Sequence, residues 1–169
     1  VYVGFLVINI ELIEIIIDGV FGTHRALSFL GFLYDGLMAT NEVLGLLVVI
    51  ACVILLWRRN VLKVKRFDGV EMSRWPRMDA NIILITEIVL MFFLFTFNTV
   101  EVKHLNDLRA IGIPVEGHGV FPVSSLFAKI WPDFLTTEFV MMLGWWGHVL
   151  GIYAFLNYVP RSKHFHIIM

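Results

Sequence analysis

The chain has 169 residues, of which 59% are apolar and 16% charged, with a formal net charge of −1; its mean hydropathy is +0.82. A soluble domain carries about a quarter of charged residues, so these proportions exclude an ordinary water-soluble fold, suggest no nucleic-acid partner and point to the lipid bilayer as the chain's solvent. A single cysteine, Cys52, excludes a disulfide framework or a CxxC cluster site within this stretch, so any redox centre held here must use imidazoles.

A chain of this length supplies only a handful of spans, and the reading is one domain over residues 1–169: an all-α polytopic transmembrane bundle with about four spans. Residues 1–17, "VYVGFLVINIELIEIII", form the first, interrupted by Asn9, Glu11 and Glu14. "DGVFGTHRALSFLGFLYDG" follows as a turn with a short interfacial helix. The second span is centred on the apolar run from Val43 to Trp57 and borrows residues from "GLMATNE" to reach the roughly 20 that cross a bilayer. The third runs from about Ala80 to Val100 and the fourth from about Phe134 to Val159, with "IGIPVEGHGVFP" a Gly/Pro loop between them. The runs are long and lack period-2 alternation, so helices are expected rather than barrel strands.

Residues 58–77 hold seven Lys or Arg against two acids. The positive-inside rule places this loop in the cytoplasm, the 101–133 loop outside, and Arg161 and Lys163 back inside. The expected location is therefore a cytoplasmic membrane, multi-pass. The chain opens on Val1 directly into apolar sequence and closes on "HFHIIM" as if the pattern ran on, which leads us to expect a stretch of a longer polypeptide.

His148 and His166 are eighteen residues apart. That is five helical turns, about 27 Å of rise, which brings both imidazoles to one face and spans nearly the hydrocarbon thickness, with Pro160 a possible kink between them. Neutral imidazole is the usual axial donor to haem b in electron-transfer sites. Gly144 and Gly151, at i−4 and i+3 from His148, would clear the face beside it for a macrocycle, and Arg58, Arg59, Arg161 and Lys163 would pair with propionates. The same residues also read more plainly: "GHVLG" as a small-xxx-small packing pattern, and "PRSKHFH" as a basic helix end.

His148, Pro160, Ser162, Lys163 and His166, in "HVLGIYAFLNYVPRSKHFHI", resemble the last-helix signature of the gamma subunit of respiratory nitrate reductase and the cytochrome b subunit of heterodisulfide reductase. With "DGVFGTHR", they look most like the membrane-anchored iron–sulfur oxidoreductases that join such a domain to a cytoplasmic iron–sulfur module. The resemblance covers the whole span layout, but only the final helix carries a specific motif. It implies two haems b, with His148 on the outer one and His166 on the inner one, and electron transfer between a quinone and an iron–sulfur protein. It also implies a prokaryotic inner membrane, a multi-subunit complex of the respiratory chain, and iron–sulfur clusters only outside this stretch, in a module after residue 169.

The family's opposing ligands come from an earlier helix. No histidine lies in residues 1–17, so the inner partner is expected upstream of Val1, and His24 is the candidate on the outer haem. His104, His118 and His164 read as solvated residues, His164 pointing about 160° from His166 if helical. Glu11, Glu14 and Asp18 fall at i, i+3 and i+7 on one stripe, expensive in lipid, and would take quinol protons toward the outer surface. Glu87 and Glu138 are weaker candidates of the same kind. Two other classes stand beside the haem reading: a cofactor-free anchor or assembly subunit, and a proton-pathway subunit.

Overall fold

The computed structural model describes residues 2–23, 25–62, 74–114, 119–158 and 160, with side chains from Asn9 in the first helix and from Met78 in the third. The described residues are helical. α1 spans Tyr2–Phe21, α2 Phe32–Asn60, α3 Arg74–Ala110, α4 Pro122–Ala128 and α5 Glu138–Tyr158. Single 3-10 turns at Ala26–Leu30 and Asp133–Leu135 bridge the gaps between α1 and α2 and between α4 and α5.

Among the described residues, three helices are long and apolar enough to cross a membrane: Phe32–Asn60, Met78–Ala110 and Glu138–Tyr158. The remaining expected span, α1, has 20 residues, about 30 Å of rise, and carries Glu11, Glu14 and Asp18 along it. α2 also starts eleven residues before Val43, because Thr40, Asn41 and Glu42 are part of the helix: Asn41 and Glu42 turn inward and are buried, and Thr40 returns its hydroxyl to the Gly36 carbonyl at 2.7 Å. A polar residue interrupts a membrane helix only if it must meet lipid; facing a neighbour, it does not.

Successive helices run antiparallel, and the register is legible in the contacts. Asn60 pairs with Asn81 at 3.1 Å at one end of α2 and α3, and Glu42 meets Asn98 toward the other. α5 lies along α3, with His148 against Leu90 and the Tyr158 hydroxyl on the Asp79 carboxylate. α1 runs along the first half of α2, with Asn41 on Glu11 and Tyr34 on Glu14.

The seam between α3 and α5 is made by glycine. A Cβ on Gly144 would sit 2.9 Å from the backbone nitrogen of Phe97, one on Gly147 would sit 2.6 Å from the Phe93 ring, and one on Gly151 would sit 2.5 Å from Leu90 Cδ2. The open macrocycle face expected at Gly144 and Gly151 is therefore filled by α3. Lacking side chains, these glycines let two backbones approach closely, the usual way membrane helices gain dispersion contact.

Candidate functional site

Away from the 58–77 loop, the bundle holds a buried polar core that begins with the α1 carboxylates. The stripe expected from their spacing turns inward, and each acid has its own partners. Glu11, buried, accepts from Asn41 Nδ2. Glu14, 2% exposed, accepts from the Tyr34 hydroxyl at 3.1 Å and the Leu27 amide at 3.0 Å. Asp18 accepts from Thr23 Oγ1 at 2.7 Å and from the amides of Arg25 and Ala26 at 3.0 Å. The last pair of amides opens the 3-10 turn, so a carboxylate stands at the N-terminus of a helical segment, as the orphan donors there require. This clamp holds Arg25 at a φ of 57°, the left-handed region.

That conformation sends the Arg25 side chain into the bundle. Its Nη2 donates to Glu101 at 2.6 Å and Asn98 at 3.0 Å, and its guanidinium lies over the rings of Phe121 and Phe97 at 4.7 and 5.4 Å. Burial is the largest single effect and works against the charge, but Glu101, Tyr34 and Glu11 together outweigh it and hold the guanidinium above its ordinary pKa. Nearby, Glu42 is 1% exposed and accepts from the amides of Val123 and Ser124 at 2.9 and 3.1 Å, from the Ser124 hydroxyl, and from Asn98 at 3.3 Å. One carboxylate on α2 thus satisfies the N-terminus of α4 and pins it to the bundle.

The sequence reading missed Arg25, Glu42, Asn98 and Glu101. Arg25 did leave a signal: it is a basic residue at the end of the bundle opposite the basic loop, where the positive-inside bias predicts few. Glu42 and Glu101 left none, since acids near helix ends are ordinary.

His148 lies in the middle of α5, buried and 6% exposed. Its Nδ1 is 3.0 Å from the Leu90 carbonyl oxygen. A carbonyl only accepts, so Nδ1 carries the proton and Nε2 keeps its lone pair, the tautomer that a backbone carbonyl imposes on a metal-ligating histidine. Two cavities adjoin this ring. One, of 260 Å³, reaches from Glu11 past Arg25 and Thr23 to Trp145 and Trp146. The other, of 340 Å³ and mostly apolar, runs the other way among Asn9, Asn41, Glu87 and Phe155. Glu11 and His148 line both.

Of the other predicted residues, His24, His118, Arg161, Lys163, His164 and His166 lie outside the described residues. Arg58 is exposed near the far end of α2 and lines neither cavity, so the structure does not bring it to His148. His104 and Glu138 are exposed. Among the described residues, no three His, Cys, Asp or Glu side chains are grouped to hold a metal ion.

No family model matches the chain, and no solved structure matches it. It is 27% identical over 167 residues to a probable iron-sulfur-binding oxidoreductase, FadF, of Bacillus subtilis (strain 168). The match covers 99% of this chain and 22% of that protein, so the chain spans about a fifth of the relative's length. It is therefore related in sequence to an oxidoreductase and folds as a helical bundle with three helices able to cross a membrane.

Proposed function

We propose that this chain is a haem b membrane domain that links the quinone pool to an iron–sulfur protein or domain on the cytoplasmic side, within a prokaryotic inner membrane. The observation that carries the reading is the His148 imidazole: buried, fixed by the Leu90 carbonyl, and left with its Nε2 lone pair beside two cavities. That donor fits an iron porphyrin. Haem b, when bound, supplies a one-electron carrier. The likeness to an iron–sulfur-binding oxidoreductase supports an electron-transfer setting.

The chain's own residues divide the work. His148 supplies one axial nitrogen, and the Leu90 carbonyl sets its direction and basicity. His24 is the proposed ligand opposite it, since its chain neighbours Thr23 and Arg25 line the same cavity as His148; His166 is the proposed ligand of a second haem. Arg161 and Lys163 remain the proposed propionate partners. The proposed quinone site is the lipid-facing edge of this cavity, at Trp145 and Trp146, beside the space proposed for the haem: Met142 and Trp146 are 57% and 49% exposed on a span helix, which gives entry from lipid. Within it, Glu14 and Asp18 are committed to backbone amides, which leaves Glu11, held by Asn41 alone among the described residues, as the proton acceptor.

A dithionite-reduced spectrum of the full-length protein tests this. The expected outcome is a b-type α-band, reduced but not abolished in His148→Ala, with helix content retained. Properly assembled protein without such a band overturns the reading. The close glycine seam of α3 and α5 favours the second reading, a cofactor-free membrane anchor in which His148 only ties two helices. A colourless assembled protein is the result that reading expects.

A further inference from the structure

Glu87 is the ionisable group that the fold leaves unused. It sits within the membrane-spanning stretch of α3, nine residues after Met78, and no hydrogen bond or ion pair reaches it from the described residues. A carboxyl in that position is costly in a bilayer unless it has a task. Its side chain lines the 340 Å³ cavity, together with the amides of Asn9 and Asn41 and with Glu11 and His148. Besides Glu87 itself, the charged or titratable groups facing this space are few: Glu11 from α1 and His148 from α5.

We propose that Glu87 is a proton-exchanging carboxyl, joined through this cavity to Glu11 and from there to the surface at the Arg25 end of the bundle. The two cavities flank the same Glu11 and His148 side chains, and the 260 Å³ one reaches Glu14, Asp18 and the exposed Thr23. The route is long. Glu87 is fourteen residues along α3 from Glu101, the partner of Arg25, which is about 21 Å at 1.5 Å per residue, some two-thirds of a roughly 30 Å hydrocarbon core. Each step moves one proton between a carboxylic acid and a carboxylate, through water held by the few polar groups in the otherwise mostly apolar walls, Asn9, Asn41, Glu11, Glu87 and His148; no electron moves. The route shares Glu11 and a cavity with the proposed haem and quinone sites, but its readout is proton exchange at Glu87 and neither a haem spectrum nor quinol turnover, so the failure of one reading is distinguishable from the failure of the other.

Infrared spectroscopy of the full-length protein in lipid tests it. The wild type minus Glu87→Gln difference isolates the carboxylic C=O band of Glu87, and Glu87→Asp displaces that band, which identifies it in a folded protein. The band is expected to be present at neutral pH and to shift on transfer to D2O. Glu11→Gln is expected to slow the shift at least tenfold, because it cuts the link to the Arg25 end. Absence of the band, a band inert to D2O, or an exchange rate unchanged in Glu11→Gln overturns the proposal.

Discussion

Replacing each glycine of the α3–α5 seam with alanine separates two effects that distance alone confuses. By distance, the added Cβ is worst placed at Gly151, 2.5 Å from Leu90 Cδ2, then at Gly147, 2.6 Å from the Phe93 ring, and best at Gly144, 2.9 Å from Phe97 N and 3.1 Å from the Phe93 carbonyl oxygen. The expected order of damage is the reverse. Leu90 Cδ2 is the end of a flexible side chain and the next atom, Leu90 Cγ, is 3.7 Å away, so one rotamer change clears the site. The Phe93 ring moves less freely. At Gly144 the obstacles are backbone, so α5 must step back by about 0.5 Å to restore ordinary contact near 3.5 Å. Such a gap forfeits a quarter or more of each contact along the seam, within the roughly 1–3 kcal/mol typical of overpacking. Alanine returns at most about 1 kcal/mol of helix propensity at each position. Gly144→Ala should therefore lose about 1–2 kcal/mol net and Gly151→Ala almost nothing. The assay is the temperature at which the detergent-solubilised protein loses helical circular dichroism and its monodisperse elution peak. Gly151→Ala melting as low as Gly144→Ala would refute the argument that the nature of the obstacle, rather than its distance, decides the cost.

Arg25→Ala should destabilise by roughly 3–5 kcal/mol, since it breaks the buried ion pair with Glu101, and Arg25→Lys should recover only part of that, because an ammonium cannot span Glu101 and Asn98 while covering two rings; thermal melts of the pair measure it. Glu42→Ala should strand two amides at the start of α4, at about 1–3 kcal/mol for each unpaired group, and should make the 115–131 segment cleavable by added protease at concentrations that spare the wild type. Glu42→Gln, which keeps one acceptor oxygen, should fall between. A Glu14→Gln variant should weaken the start of α2 through Tyr34 and Leu27 yet leave any haem spectrum intact, whereas Glu11→Gln should slow quinol turnover; equal turnover in Glu11→Gln and wild type counts against Glu11 as the acceptor.

Membrane character, all-helical class and the approximate places of the three apolar spans follow from composition and run length, because a bilayer permits few alternatives. That Glu11, Glu14 and Asp18 share one stripe was likewise legible, since helical period alone puts i, i+3 and i+7 on one side. What lies opposite that stripe was not. Helix period says which residues share a face and nothing about which neighbour the face meets, so Asn41, Tyr34 and the amides of residues 25–27 became its partners only when α1 folded back along α2.

The same division holds at His148. The sequence by itself determined that an imidazole sits in the middle of a membrane helix with glycines at i−4 and i+3, a pattern equally suited to a cofactor face or a packing face. Only the tertiary structure decided between them for the glycines, by laying α3 against Gly144 and Gly151. It also chose the histidine's tautomer, through a carbonyl fifty-eight residues away in the chain. Both outcomes rest on contacts between helices distant in sequence, and dispersion and hydrogen bonding across such a seam depend on tenths of an ångström that no local pattern encodes.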